Sequence, residues 1–442
     1  MNKEKINIMN LIRQFNGDFN MKILHINTND IEGGAARAAN RLHKGLLKKR
    51  IYSRMLVDNK KTDDFTIFTL NINKLKKIKT KIRLFLDEKM KNVYSKRLNV
   101  TWSCNFWDNK SLVKFINKSD FDIIHFHWIN AAMLSIEDIK KINKPIVWTM
   151  HDMWPFTGGC HYSGNCILYK KDCSKCKQLA NEKNTFLSRH LLKEKWNSYK
   201  NKGIVYIAPS KWLKQCAEES FLLKNSNIKV IQNGIDLKIF KNLEKSFCKN
   251  FLELDLSKKY VLFGAMTSTS DKRKGYDLLK EALKFFRGNF YSKNKDIVLL
   301  VFGAGKPQYE ENLGFEINYL GQINDDITLS LIYNSVDVFI APSREDNLPN
   351  TIVEALSCGV PCVAFNIGGM IDLIEHKKNG YLAKPFDIKD LAKGINFVLE
   401  DENRWNSLSE NALNKAQRDY DINVVSDKYI DLYKKILGRD DK

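Results

Sequence analysis

The sequence predicts an α/β protein built from two doubly wound domains, and three observations carry that prediction. A chain of 442 residues is longer than one compact core supports. From Met21 onward, short apolar runs alternate with longer stretches of helical periodicity, as in parallel sheets covered by helices on both faces. That alternation comes as two successive series, with a charged, Lys-rich stretch over 242–259 between them.

In the first series the expected strands are 23–27, 123–128, 146–150, 204–208 and 229–232, several of them apolar on both faces, as buried parallel strands are. The second series is 260–263, 297–302, 317–320, 336–341 and 361–365. The domains are therefore expected at 21–240 and 241–420, with the boundary near Phe240. Val425, Tyr429, Leu432 and Ile436 recur at helical spacing, so 421–442 is expected to form a helix that packs back on the first domain. Residues 1–20 carry charges and Asn throughout, lack the apolar stretch of a secretory signal, and read as an N-terminal extension or a start placed too far upstream.

No apolar run approaches the roughly 20 residues that span a bilayer. The formal charge of +21 calls for anionic partners, although the Lys, Asn and Ile bias of AT-rich coding sequence contributes to it. Residues 74–97 are the most basic stretch, with Leu75, Ile78, Ile82 and Phe85 on one helical face among lysines. Such a helix suits an anionic lipid surface, while the plainer reading packs the apolar stripe on its own domain.

Four segments carry chemistry. Asn27-Thr28-Asn29-Asp30-Ile31-Glu32-Gly33-Gly34-Ala35-Ala36 follows the first strand and opens an Ala-rich helix, where glycines let backbone approach an anion at the helix N-terminus. Tight strand-to-helix packing would use the same glycines. In the second domain Arg273-Lys274-Gly275-Tyr276 puts two cations at a helix start, a placement that the helix dipole disfavours unless an anion such as a diphosphate binds there. Two solvated surface cations are the plainer reading.

The sharpest segment is Pro342-Ser343-Arg344-Glu345-Asp346-Asn347-Leu348-Pro349-Asn350-Thr351-Ile352-Val353-Glu354-Ala355, at the C-terminal end of a predicted strand, where open α/β sheets bind ligands. Glu354 near the helix start complements the dipole at the least, and its two oxygens also suit a ribose diol. Last, Cys160, Cys166, Cys173 and Cys176, four of the nine cysteines, cluster with His161 beside the first. Their closing Cys-x2-Cys has metal-knuckle spacing and four thiolates suit structural zinc, but the first pair is looser, and reduced unligated thiols stay equally open.

These motifs, together with Lys274-Gly275 and Asn233-Gly234-Ile235-Asp236, resemble the family-4 retaining glycosyltransferases of GT-B fold, in which two Rossmann-like domains face each other across a cleft. Asp122-Ile123-Ile124-His125-Phe126-His127-Trp128, Thr149-Met150-His151-Asp152 and Pro209-Ser210-Lys211-Trp212 are similar to strands of the family's acceptor domain. The segment from His151 to His161 narrows the resemblance to colanic-acid-type polysaccharide glycosyltransferases.

The resemblance implies roles residue by residue. Glu354 would hold the nucleotide ribose. Asp346, or Glu345 beside it, would touch the transferred sugar. Lys274 with Arg273 would grip the donor diphosphate, Gly33 and Gly34 would meet it from the opposite domain, and Asn350 and Thr351 would line the nucleotide site. His151 would face sugar and acceptor, its plainer alternative being a strand-end histidine satisfied by Asp152. Asp346, Lys274 and His151 are thus the expected catalytic residues.

The family's Gly-Arg after the first donor-domain strand is Gly264-Ala265 in this chain, and Arg273 would compensate. No metal-holding Asp-x-Asp ends a donor-domain strand, so catalysis is expected to need no cofactor beyond the nucleotide-sugar substrate. The implied reaction moves a hexose from a UDP- or GDP-sugar to a lipid-linked saccharide on the cytoplasmic face, with peripheral contact to the anionic inner membrane. A soluble acceptor or a sugar-nucleotide epimerase of the same fold are alternatives. A basic nucleic-acid-binding protein with a zinc knuckle fits worse, because the basic residues are scattered and no recognition helix or aromatic RNA-binding motif appears.

Overall fold

The computed structural model describes residues 21–70, 74–94, 97–179, 186–264, 269–290, 297–307 and 312–439. The expected extension at 1–20 and most of the loop after Gly264 lie outside the described residues.

The first sheet has seven strands: β1 (Lys22–Asn29), β2 (Tyr52–Asn59), β3 (Ile67–Phe68), β4 (Ile123–Phe126), β5 (Ile146–Thr149), β6 (Val205–Ala208) and β7 (Ile228–Val230). They pair in the order β3-β2-β1-β4-β5-β6-β7, every pairing parallel. The second sheet holds β8 (Lys259–Gly264), β9 (Ile297–Phe302), β10 (Glu316–Gly321), β11 (Val338–Ala341), β12 (Cys362–Phe365) and β13 (Gly380–Ala383). Its order is β10-β9-β8-β11-β12-β13, again parallel throughout.

In each sheet the strand order reverses beside the domain's first strand, between β1 and β4 and between β8 and β11. Ligands of open α/β sheets bind outside the carboxyl ends at such switch points. The sequence's candidate residues follow those ends: 27–36 after β1, 127–128 after β4 and 342–354 after β11.

Parallel strands need both faces covered, and the central strands are buried on both. One face of the first sheet, with Ile23, Ile123, Val147 and Ile207, packs against Leu42 and Leu46 of the helix Gly34–Lys48. Val425, Tyr429, Leu432 and Tyr433 of the last helix, Ile422–Ile436, join that face, so the chain's end completes the first domain's core. The two crossings between domains run side by side, since Ile235 N–H donates to the Tyr420 carbonyl at 2.8 Å and Ile422 N–H to the Ile235 carbonyl at 2.9 Å.

Three strands escape the sequence reading. β2 carries Ser53 and Arg54 inside its run, β3 is two residues long, and β13 opens on a glycine at the sheet edge. The Lys-rich stretch between the domains contains a short helix, Lys245–Phe251.

The basic helix Lys74–Asn92 departs from the plainer expectation. Ile78, Ile82 and Phe85 are 51%, 50% and 57% exposed. The helix instead turns Asp87 and Lys91 inward, and the Asp87 carboxylate accepts from the backbone N–H of Asn105 at 2.8 Å and of Cys104 at 3.3 Å. Two inward backbone donors need an acceptor, and satisfying them fixes the polar side of the helix against the domain. The apolar stripe is left facing out. The side chain of Leu75 lies outside the described residues.

Candidate functional site

The carboxyl ends of the two sheets face each other across an open cleft of about 680 Å³. Gly33, Gly34, His151, Arg273, Lys274, Asp346, Asn350, Thr351 and Glu354 all line it.

On the first wall, the buried Asp30 carboxylate draws the turn after β1 tight, accepting from the backbone N–H groups of Lys61 and Thr62, each at 2.8 Å. Gly33 then caps the helix Gly34–Lys48 at φ +96°, a conformation that L side chains rarely adopt. No side chain caps this helix and its first turn holds no acid. The opposite helix, Asn350–Ser357, likewise lacks a side-chain cap and a first-turn acid. Two uncapped N-termini therefore meet over the cleft, joined where Asn350 Nδ2 donates to the Gly34 carbonyl at 2.9 Å. Free backbone N–H groups and the positive dipole ends make this an anion site.

On the second wall, Asp271 caps a short turn over Lys272–Lys274. Gly275 follows at φ +71°, and a Cβ there would stand 1.9 Å from the Pro342 carbonyl oxygen, so only glycine lets this turn lie against the end of β11. The close approach brings both cations to Asp346: Lys274 Nζ at 2.6 Å and Arg273 Nη1 at 3.1 Å. Burial alone would raise the Asp346 carboxyl, but Lys274 and Arg273 hold it below the usual carboxylate range. Arg273 also pairs with Asp271 at 3.1 Å. The two cations are thus matched by two carboxylates, and the unmatched positive potential of the cleft comes from the helix N-termini.

Glu354 is 2% exposed. One oxygen accepts from Arg41 Nη2 at 2.9 Å and the other from the Tyr333 hydroxyl at 3.0 Å. Arg41 belongs to the opposite domain and reaches Asp326 as well, at 3.2 Å, beside Arg37 at 3.0 Å. A second bridge runs through Asn347, whose Nδ2 donates to the backbone carbonyls of Met150 and His151 while its Oδ1 accepts from Ser210 Oγ at 2.6 Å.

Some expectations are corrected. Glu345 does not line the cleft; its Oε2 accepts from the Gly164 backbone N–H at 2.9 Å, tying the cysteine-bearing loop to the second domain. In the same loop Tyr162 lies under Arg273, with the guanidinium carbon 4.5 Å from the ring centroid. His151 is not satisfied by Asp152, which instead accepts from His161 Nδ1 at 2.7 Å. His161 spends its other nitrogen on Ser103 Oγ at 2.9 Å and so stands apart from the cysteines as a ligand. Among the described residues, the group of three His, Cys or acidic side chains whose ligand atoms all lie within 4.8 Å is His25, His125 and His127. The four cysteines do not meet that distance, although they share one neighbourhood, where burial and then Cys173, Cys176 and Cys166 push the Cys160 thiol up.

Arg41, Tyr162 and Asn347 are the site residues that sequence reasoning missed. Arg41 does stand one helical turn after Arg37 in an otherwise Ala-rich helix, a spacing that puts both on one face.

Five histidines, His25, His43, His125, His127 and His151, sit in or behind the first wall, and burial pushes every one down, His43 to about 3 and His151 to about 4. They are neutral in the folded protein, whereas the unfolded chain takes up protons on them below about pH 6.5. The unfolded state therefore binds more protons between about pH 6.5 and 4, and stability falls as pH falls through that window, by about 1.4 kcal/mol per histidine per pH unit. Thermal unfolding followed against pH is expected to show Tm dropping steeply across this range; a flat profile would contradict the buried neutral set.

Residues 32–239 match the sequence model described as Glycosyltransferase Family 4, and residues 249–415 the one described as Glycosyl transferases group 1. The putative colanic acid biosynthesis glycosyl transferase WcaC of Escherichia coli (strain K12) is 25% identical over 366 residues, 78% of this chain and 83% of its own. The N,N'-diacetylbacillosaminyl-diphospho-undecaprenol alpha-1,3-N-acetylgalactosaminyltransferase of Campylobacter jejuni is 30% identical over 226 residues, 49% of this chain and 56% of its own. Among solved structures, Anabaena Alr3699/HepE in complex with UDP-glucose is similar with a TM-score of 0.63 and 18% identity, covering 94% of this chain and 100% of that one. At that identity the likeness is one of fold.

Proposed function

Because the chain belongs to the family-4 glycosyltransferases of GT-B fold, we propose that it is a retaining hexosyltransferase using a UDP- or GDP-sugar. Its acceptor in this reading is a lipid-linked saccharide of bacterial surface polysaccharide synthesis. The observation that carries the reading is the pair of uncapped helix N-termini, at Gly34 on one wall of the cleft and at Asn350 on the wall that also carries Lys274 and Arg273. A departing nucleoside diphosphate needs its developing charge met by fixed dipoles and cations in a site that excludes water. Lys274, Arg273 and the N–H groups at Gly34 and Asn350 supply them from both sides.

Glu354 binds the ribose diol in this account. Each carboxylate oxygen accepts more than one hydrogen bond, so the diol joins Arg41 and Tyr333 on the same group. The acceptor hydroxyl attacks from the face that the diphosphate leaves and passes its proton to a phosphate oxygen. Calorimetry of UDP- and GDP-sugars in EDTA is expected to find one donor that binds without metal. Glu354→Ala and Lys274→Ala should each weaken it by at least about tenfold, or about 1.4 kcal/mol. Binding by neither nucleotide class, or variants that bind like wild type while keeping its Tm, would overturn the assignment.

The same reading includes peripheral contact with an anionic, cytoplasm-facing membrane. The exposed stripe Ile78, Ile82 and Phe85 lies among Lys74, Lys77, Lys81 and Lys89, and apolar residues flanked by lysines suit the headgroup boundary of anionic lipid. In flotation assays the protein is expected to bind vesicles rich in phosphatidylglycerol and to ignore phosphatidylcholine. Replacing Ile78, Ile82 and Phe85 by Ser should abolish binding without changing Tm. Equal binding to both vesicles, or no effect of the replacement, would contradict it.

A further inference from the structure

His151 is the cleft-lining end of a chain of three imidazoles. Its Nε2 lies 3.1 Å from Nδ1 of His127, and His127 Nε2 lies 2.9 Å from Nδ1 of His25. The rings stack, with centroids 5.4 Å apart at 25° and 5.2 Å apart at 29°. His25 is wholly buried on β1, and its Nε2 has no hydrogen-bond partner among the described residues. Nδ1 of His151, at the other end, also meets no protein partner among the described residues, on a ring that borders the cleft.

One proton per ring fixes the whole chain. Among the described residues no carboxylate hydrogen-bonds to any of the three, and burial keeps each neutral. A neutral imidazole has one N–H and one bare nitrogen, so two contacts among three rings allow two arrangements. In one, His151 Nε2–H donates to His127, His127 Nε2–H donates to His25, and His25 is left with a buried N–H that bonds to nothing. In the other, His25 Nδ1–H donates to His127, His127 Nδ1–H donates to His151, and the orphan on His25 is a bare nitrogen. Among backbone groups, buried N–H groups without a partner are rarer than under-used acceptors, and the same desolvation cost favours the second arrangement here.

We infer that His25 and His127 are positioning residues that hold His151 in its Nδ1–H form, so that it offers the cleft a hydrogen-bond donor and not a base. For the transfer reaction, a consequence that rests on the function proposed above, His151 then steadies an oxygen of the sugar or phosphate, and the proton of the acceptor hydroxyl must leave by another group, the departing phosphate. Reading His25, His125 and His127 as a cation site fits less well, because both nitrogens of His125 are already bonded, to the Tyr433 hydroxyl at 2.6 Å and Thr149 Oγ1 at 2.8 Å.

The test is long-range proton–nitrogen NMR on the full chain with ¹⁵N-labelled histidine, the His151 signals being identified by their loss in His151→Gln. Wild type is expected to show a protonated Nδ1 and bare Nε2 on His151, with a bare Nε2 on His25. In His127→Phe the His151 pattern should shift towards a mixture of the two forms, which a merely space-filling His127 would not cause. A protonated Nε2 on His151 in wild type would overturn the inference, as would one zinc per chain retained through purification and lost in His25→Gln. The measurement uses no nucleotide, so it stands or fails independently of the transferase reading.

Discussion

The buried ion pair between Arg41 and Glu354 is the interaction on which the site depends. Both groups are nearly inaccessible, 9% and 2% exposed, and they belong to different domains. Removing one partner of such a pair costs about 3–5 kcal/mol, because the other charge is left buried and alone. Their union therefore fixes how the domains meet. Arg41 stands two turns into the helix that begins at Gly34, and Glu354 one turn into the helix that begins at Asn350, so pairing them brings the two helix starts together. Arg37 and Arg41 on Asp326 hold the first helix against the second domain, and Lys48 on Asp236 ties its far end to the segment that crosses between the domains.

Given that alignment, the chemistry follows from charge balance. Lys274 and Arg273 are spent on Asp346 and Asp271, which keeps them ordered and aimed at the cleft but leaves little net cation. The dipoles of two helices without acidic first turns supply the rest. The glycines make this possible by geometry. Gly33 adopts the left-handed backbone that starts one helix at the cleft edge, and Gly275 lets the cationic turn touch the carbonyl of Pro342.

Much of this was legible in the sequence. Lys274, Glu354 and Gly34 were singled out from residue type and position at strand ends or helix starts, Asp346 and His151 from the family resemblance, and the structure gathers all five around one cleft. Both sheets were legible wherever strands run apolar on both faces, as β9 and β12 do. β2 and β13 were not, since an edge or near-edge strand need not be continuously apolar. The partners that lock the site were also hidden. Arg41 meets Glu354 across 313 positions of sequence, and no local pattern marks such a contact. Glu345 and Tyr162 depend on how the cysteine loop folds over the second domain, which its spacing did not fix. The helix Lys74–Asn92 shows the limit of periodicity: it finds an apolar face but does not say which face the protein covers.

The most direct test of the account is a crystal structure with the bound donor identified by calorimetry. The diphosphate should lie between the N-termini at Gly34 and Asn350, with Lys274 in contact, and the ribose diol should sit on Glu354. A nucleotide seated elsewhere, or a diphosphate that touches only one of the two walls, would contradict it.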